Sequence, residues 1–204
     1  MTSMQAAQYY RYSTYTVRAK VLKLFGGSFD IFGPDGDMIL HASQKAFKLK
    51  EDIRLYRDKS KTQELLTIKA REILDFSAAY DVQDPTTNET VGAFRRKGWK
   101  SLLRDKWLVM DAAGKEIGTI EEDSAWLGML RRAMAFFVIN LVPQNYRCRL
   151  GDSVACTFKQ NFNPFVKKIR VDFPEMPAFN TRSLDRRMGL AAAVLLCAIE
   201  GKQG

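Results

Sequence analysis

Apolar and polar side chains alternate along most of this chain, with a two-residue period that indicates β-strands rather than helices. One unit recurs: an alternating strand, a turn rich in Asp, Gly, Pro or Asn, and a second alternating strand. Four consecutive copies lie at 29–40, 53–68, 80–94 and 107–120. Their equivalent apolar positions are Ile31, Leu55, Val82 and Val109. The steps between these positions are 24, 27 and 27 residues, which predicts an internal repeat of β-hairpins.

A fifth hairpin is predicted at 146–158, after a longer interval, and 167–173 is a further alternating run. Short segments between hairpins, such as 69–76, supply more strands. About a dozen strands are enough to close an antiparallel sheet, and closure removes its exposed edges. The predicted fold class is therefore mostly β (α+β), a closed antiparallel barrel of about twelve strands whose interior is too wide for side chains alone to fill.

The stretch 184–200 departs from the two-residue period and predicts a hydrophobic helix. Over 188–199 no side chain is charged or strongly polar, so no face of this helix favours contact with water. These residues make about 18 Å of helix, well short of the roughly 30 Å hydrocarbon core of a bilayer. We therefore expect a central helix that fills the barrel, with Ser183 as N-cap, Asp185 complementing the helix dipole and Gly201 ending the helix.

A second helix is predicted at 124–139, in the interval before the fifth hairpin. Its apolar residues follow helical spacing, Arg131 and Arg132 interrupt them, and Pro143 marks the end. This segment suits a plug at one end of the barrel, or a helix at a membrane interface. No compositionally distinct linker divides the chain, so we expect one domain over 1–204, in which about the first 15 residues are the part most open to flexibility.

Composition and charge narrow the class of protein. The 46% hydrophobic and 27% charged content of the 204 residues is typical of a globular domain with a real core. A formal net charge of +9 favours polyanionic partners such as nucleic acid or anionic lipid. Three cysteines without a CxxC pair, and one histidine, argue against a zinc site or a disulfide framework. Because the first residues lack a basic start and an apolar run, we expect a cytoplasmic protein.

A basic band is the main candidate binding site. It comprises Arg95, Arg96, Lys97, Lys100, Arg104 and Lys106, with Trp99 and Trp107 interleaved. If the strand continues, Arg95 and Lys97 share one face and Arg96 points to the other. Arginine makes bidentate contacts to phosphate and tryptophan favours membrane interfaces, so the band predicts a site for anionic headgroups or phosphates. A second basic group comprises Lys167, Lys168 and Arg170. The alternative for both groups is a solvated barrel exterior.

Other charged and reactive residues carry weaker indications. Arg186 and Arg187 begin the terminal helix, where cations need facing carboxylates or a bound anion. The acidic run 121–123 lacks EF-hand spacing, so no metal site is predicted. Cys148 and Cys156 approach each other if the loop of the fifth hairpin has an odd number of residues. In either case we expect the cysteines to be buried thiols.

Catalytic patterns are absent from the sequence. It contains no Walker-type loop, GxGxxG or HExxH, and a single histidine, His41, in a strand context where a core or surface role is expected. No Ser-His-Asp set is expected with one histidine. We therefore predict a non-enzymatic protein without catalytic residues or a cofactor.

Four sequence features together carry a family resemblance. They are the repeated strand-Asp-x-x-Gly-strand units, the basic stretch 95–97 before 101–104, the stretch 161–168 leading into a strand, and 184–187 opening the apolar helix. In order and spacing they resemble the tubby C-terminal-like superfamily, in its branch of LURP-one-related proteins and phospholipid scramblases. The resemblance spans roughly residues 29–201. It implies a twelve-stranded antiparallel barrel around a hydrophobic C-terminal helix.

The resemblance also implies a function. We expect a binding module that docks on anionic phospholipid headgroups or another phosphate-bearing partner, with peripheral contact at the inner face of the membrane. One alternative is a scramblase-like membrane protein that moves phospholipids and places its terminal helix in lipid. Others are a structural or protein-interaction domain and, from charge alone, a nucleic-acid-binding protein.

Overall fold

The computed structural model describes residues 8–20, 27–44, 52–71, 79–96, 106–123, 144–161, 166–174 and 183–200. The strands are β1 (Thr14–Lys20), β2 (Ser28–Phe32), β3 (Met38–Gln44), β4 (Asp52–Tyr56), β5 (Glu64–Ala70), β6 (Ala79–Asp84), β7 (Glu89–Arg96), β8 (Lys106–Met110), β9 (Glu116–Glu122), β10 (Asn145–Leu150), β11 (Ser153–Gln160) and β12 (Lys168–Asp172). A 3-10 turn at Gln8–Tyr10 precedes them, and helix α1 (Arg186–Glu200) follows them. The predicted mostly-β fold is confirmed.

The twelve strands form a closed antiparallel barrel in which each strand pairs with its neighbours in sequence. Closure is made by β1 and β12, which pair from Thr14↔Asp172 to Arg18↔Lys168. Five short turns, at 33–37, 57–63, 85–88, 111–115 and 151–152, lie at one end, which we call the turn rim. The opposite strand ends form the connection rim, and most residues of the connections that follow them lie outside the described residues.

All five predicted hairpins are present, and each has the same irregularity. The strand register shifts directly after Ile31, Leu55, Val82, Val109 and Cys148. Each of these five side chains is fully buried. A β-bulge bends a strand and increases its twist, so repeating it at one position of every hairpin promotes the curvature that closes the barrel.

Helix α1 lies inside the barrel and supplies the centre of the core. Met188 and every residue from Leu190 to Ala198 are at most 6% exposed. Close approach of the wall depends on glycine, because a Cβ at Gly189 would overlap the ring of Phe173, and one at Gly92 would lie 2.9 Å from Cε of Met188. Within the described ranges, no helix is long and apolar enough to span a membrane.

The start of α1 differs from the sequence expectation. The helix begins at Arg186, two residues later than predicted, and Asp185 rather than Ser183 caps it. The Oδ1 atom of Asp185 accepts a hydrogen bond from the backbone N–H of Arg187 at 2.8 Å. An Asp directly before the first helical residue can reach that N–H, whereas Ser183 lies too far upstream. The predicted helix end at Gly201 lies outside the described residues.

Two other predicted elements are described in part or not at all. The helix predicted at 124–139 lies outside the described residues, and so do residues 72–76 of the predicted strand 69–76, whose first residues belong to β5.

Strand β1 was not among the predicted strands. The residues before it pack on the core: the Tyr15 hydroxyl accepts a hydrogen bond from Tyr12 N at 3.1 Å and donates one to Tyr9 O at 3.3 Å.

Candidate anion-binding site

The predicted basic band is divided between two strands and the connection that joins them. Arg95 and Arg96 end β7 and Lys106 opens β8, whereas Lys97, Trp99, Lys100 and Arg104 lie outside the described residues. Arg95 is exposed on the outer face of the barrel. Arg96 shares the inward side with the buried Phe94, and its guanidinium carbon lies 5.9 Å from the Trp107 ring centroid. Arg95 and Arg96 therefore point to opposite faces, as expected for neighbours on a strand.

Lys106 is engaged by an acidic neighbour. Its Nζ lies 2.6 Å from Oε1 of Glu121 on β9. The hydrogen bond from Lys106 lowers the pKa of Glu121 below its usual value. In contrast, no ion pair of Arg95 occurs within the described ranges, so among the described members of the band Arg95 is the cation best placed to meet a ligand.

The residues of the second predicted basic group also lie in different environments. Lys167 precedes β12, and its Nζ donates a hydrogen bond to the Leu196 carbonyl of α1 at 3.3 Å. It thus places positive charge near the negative end of the helix dipole. Lys168 opens β12 with its side chain exposed on the outer face. Arg170 is exposed on the same face, and its Nε lies 2.8 Å from Oδ1 of Asp172.

The barrel adds two bases that sequence reasoning did not select. Arg18 on β1 is the register partner of Lys168, and Lys159 on β11 is the register partner of Arg170. All four are exposed on the outer face of three adjacent strands, and we call them the basic cluster: Arg18, Lys159, Lys168 and Arg170. In the described structure one carboxylate pairs with them, that of Asp172, whose oxygens lie 2.8 Å from Arg170 Nε and 3.9 Å from Lys159 Nζ.

Opposed like charges distinguish the basic cluster from an ordinary solvated surface. Two cations directly opposite each other on antiparallel strands destabilise the pairing. Arg18 and Lys168 are such a pair. Arg18 is also the register partner of Asp30 on β2, but the buried carboxylate of Asp30 contacts His41 and Lys59. Neither Arg18 nor Lys168 forms an ion pair in the part of the chain that the structure describes. An anion bound between them would relieve the repulsion, because Arg can bind two oxygens of a phosphate and Lys a third. The cluster is thus suited to a phosphate group.

The two basic groups do not form one site. Five strand-to-strand steps separate β7, which carries Arg95, from β12, which carries Lys168. At about 4.8 Å for each step they lie roughly 24 Å apart along the barrel wall. Both groups nevertheless lie at the connection rim, because Arg95 is the penultimate residue of β7 and Lys168 is the first of β12.

Arg187 is enclosed by carboxylates at the turn rim. Its guanidinium lies 3.1 Å from Asp84, 2.8 Å from Glu89 and 2.7 Å from Asp185. Burial by itself lowers the pKa of Arg187, but the hydrogen bonds that its guanidinium donates to Asp185 and Glu89 raise the pKa overall. The expected pairing with acids at the barrel mouth is confirmed for this residue.

Arg186 has no carboxylate among its partners in the described structure. It donates instead to the Tyr12 carbonyl at 2.5 Å, and its guanidinium carbon lies 5.0 Å from the Phe173 ring centroid. Arg186 therefore ties the N-terminal segment to the start of α1.

Acidic residues near the connection rim are paired with bases. Glu121 contacts Lys106, and Oδ2 of Asp123 lies 2.5 Å from the Arg147 guanidinium. Throughout the described segments, no group of three or more His, Cys, Asp and Glu side chains is placed to hold a metal ion. These contacts leave the acids in structural roles.

His41 and the cysteines occupy buried positions. Nδ1 of His41 lies 2.8 Å from Oδ1 of Asp30 on the neighbouring strand, and Lys59 Nζ lies 3.4 Å from the other oxygen of Asp30. Cys148 and Cys156 are opposite each other in the fifth hairpin. The loop at 151–152 has two residues, not the odd number expected to bring them together, and the register shift after Cys148 aligns them instead. Both are buried free thiols. Burial, and then the hydrogen bond with Cys148, raise the pKa of Cys156 well above its ordinary value, which disfavours a reactive thiolate.

A sequence comparison agrees with the barrel. The sequence model of the family described as LURP-one-related matches residues 38–187, which run from the first residue of β3 into the first turn of α1. Among curated proteins, none matches the chain significantly. The family match covers well over half of the sequence, and the family is tubby-like and generally non-enzymatic. The chain therefore belongs to the LURP-one-related family.

Proposed function

We propose that this chain is a non-enzymatic binding module that docks on anionic phospholipid headgroups. The observation that carries the proposal is the direct opposition of Arg18 and Lys168 at the connection rim. Like charges in register weaken the strand pairing, so their presence on an exposed face favours a role in holding an anion. Lys159 and Arg170 extend the same surface by one strand.

The predicted basic band contributes a second contact in this proposal. Arg95 is exposed near the end of β7, and Arg96 lies against the Trp107 ring. Lys97, Lys100 and Arg104 stay predictions for the same surface. Lys106 and Lys167 act mainly through Glu121 and the Leu196 carbonyl, so we assign them supporting roles rather than direct headgroup contacts.

Two alternatives receive less support. Scrambling by an inserted terminal helix would require α1 to leave the barrel, yet its side chains form the centre of the core. Single-stranded nucleic acids are usually held by stacking on exposed aromatic rings as well as by bases. In the described part of the chain, the large hydrophobic side chain that is exposed is Val154, and it is not aromatic.

The proposal is tested by co-sedimentation with vesicles of phosphatidylcholine alone and of phosphatidylcholine mixed with phosphatidylserine. We expect binding to the mixed vesicles only, falling as salt is added. Each base near an anionic surface contributes about 1 kcal/mol, so Arg18→Gln with Lys168→Gln should reduce partitioning about 30-fold. Free glycerophosphoserine as competitor distinguishes recognition of the headgroup alone from recognition of the membrane surface.

A matched control is available at the turn rim. Arg57→Gln with Lys115→Gln removes the same charge from two exposed turn residues and should leave partitioning nearly unchanged. If the Arg18 and Lys168 variant bound as tightly as the unmodified protein, the basic cluster would be excluded as the docking surface. If both double variants lost equal affinity, net charge rather than a site would explain the binding.

A further inference from the structure

The two basic groups lie on the same rim but on different sides of the barrel. Arg95 is one residue from the end of β7, Lys168 opens β12, and Arg18 is two residues from the end of β1. All three strand ends belong to the connection rim. Along the wall, five strand steps, or roughly 24 Å, separate β7 from β12.

This placement constrains the shape of the ligand. One phosphate group held between Arg18 and Lys168 is too small to reach Arg95 on the far wall. A plane laid across the connection rim meets both basic groups at once. An anionic bilayer is such a plane, whereas a single soluble headgroup occupies only one of the two groups.

The turn rim has a different charge pattern. Each of its five turns contains at least one aspartate at or beside the turn: Asp35 and Asp37, Asp58, Asp84, Asp111, and Asp152. Bases are also present there: Arg187 is enclosed by three carboxylates and Lys59 is paired with Asp30. Three further bases are exposed in the turns, but they alternate with the aspartates instead of facing another cation across a strand pair: Arg57, Lys61 and Lys115. The carboxylates would oppose an approach of the turn rim to a negatively charged surface.

We infer that the barrel docks end-on, with its connection rim against an anionic bilayer and its turn rim facing away. This inference rests on the proposed lipid-docking function and adds an orientation to it. The basic cluster and Arg95 contact the same membrane surface simultaneously. The start of α1 and its carboxylate-bound Arg187 then lie at the end of the barrel farthest from the lipid.

Single and double substitutions test whether the two sides act together on vesicles of phosphatidylcholine and phosphatidylserine. End-on docking predicts that Arg95→Gln and Lys168→Gln each reduce partitioning about 5-fold, and that the double variant loses about 30-fold. If one of the two single variants bound like the unmodified protein, the barrel would dock through one side wall, and the end-on orientation would be wrong while lipid docking stood. If the unmodified protein failed to bind these vesicles, the proposed function and the orientation would both be wrong.

Environment-sensitive fluorophores report the orientation directly and do not depend on the charged residues. Ser28→Cys lies at the connection rim beside β1, Ala79→Cys is the register partner of Arg95, and Ala113→Cys lies in an exposed turn of the turn rim. The three native cysteines are buried, whereas positions 28 and 79 are half-buried and position 113 is exposed, so the introduced cysteines are labelled preferentially. We expect increased emission on vesicles from labels at positions 28 and 79 and none at 113. A response at 113, or at only one connection-rim position, would overturn the inference.

Binding to nucleic acid is compared with binding to vesicles, because a basic surface can also attract DNA or RNA. Filter binding of a DNA duplex and of a single-stranded oligonucleotide is measured at the salt concentration used for the vesicles. Tighter binding to either nucleic acid than to mixed vesicles would contradict the assignment of a bilayer as the partner. Weaker binding to both, together with the label responses above, supports it.

Discussion

At the turn rim, Arg187 lies among three carboxylates with 18% of its side chain exposed, whereas at the connection rim the exposed Arg18 lies opposite the exposed Lys168. The first cation neutralises Asp84, which would otherwise be a buried, uncompensated charge. The second pair adds repulsion between neighbouring strands. Positive charge therefore stabilises the fold at one rim and is available to a ligand at the other.

The largest loss in free energy of unfolding is expected from removing Arg187, the carboxylate-enclosed cation of the turn rim. Arg187→Met leaves the buried carboxylate of Asp84 without its cation, and breaking a buried pair from one side costs about 3–5 kcal/mol. The measurement is the free energy of unfolding in urea. Asp185→Asn is the control, because it keeps a good N-cap and removes only an exposed partner, so it should cost under about 1 kcal/mol. Equal losses in the two variants would contradict the assigned role of Arg187.

A smaller loss is expected where the wall contacts the start of α1. The added methyl group of Gly189→Ala would overlap the Phe173 ring, and overpacking of this kind costs about 1–3 kcal/mol. Adding Phe173→Leu should recover part of the loss, which a double-mutant cycle on unfolding free energies detects. If Gly189→Ala stabilised the protein, as helix propensity alone predicts, the close contact at this rim would be wrong.

The contribution of the turn rim to the free energy of unfolding should also decrease at alkaline pH. Burial raises the pKa of Tyr15 to about 12, and the pKa of the unfolded state is about 10. Between these values the unfolded chain loses the proton first, so the stabilising contribution is complete below pH 10 and is lost as the pH rises toward 12. Tyr15→Phe should make the decline of unfolding free energy with pH shallower, by at most about 1.4 kcal/mol per pH unit. An unchanged decline would exclude Tyr15 as the titrating group.

The smallest expected change in stability has the opposite sign. Arg18→Gln with Lys168→Gln removes a cross-strand repulsion and should raise the free energy of unfolding by about 0.2–1 kcal/mol. The same variant should lose vesicle binding, so stability and binding would change in opposite directions. Thermal unfolding without vesicles measures the change in stability. A loss of stability above about 1 kcal/mol would mean that these bases support the fold and would remove the main contrast between the rims.

Local pattern was sufficient to predict the hairpins and the helix. The period of two around Ile31, Leu55, Val82 and Val109 reflects side chains that face the barrel interior, and all four are fully buried. The unbroken apolar stretch of α1 likewise follows from its enclosure on every side. In both cases neighbours in sequence determine the exposure of each residue, so the sequence contains the required information.

Residues that lie side by side on adjacent strands were much harder to predict. Arg18 and Lys168 become adjacent only because β1 and β12 close the barrel, and β1 was not recognised as a strand. The reverse also occurred: Lys167 and Lys168 are adjacent in sequence, yet one contacts a carbonyl of α1 and the other lies exposed. Composition selects basic residues, but strand order and register decide which of them form a surface.

Closure by β1 and β12 also has a consequence for biosynthesis. Thr14 and Asp172, which bond across this seam, are 158 residues apart in the chain. Each hairpin needs only its own residues and can form while translation continues, but β1 lacks one of its two partners until β12 has been made. Because α1 follows β12 in the chain, the seam and the central core become available together, only after α1 has been made. We therefore expect the last stage of folding to be a single cooperative step in which the sheet wraps around the helix.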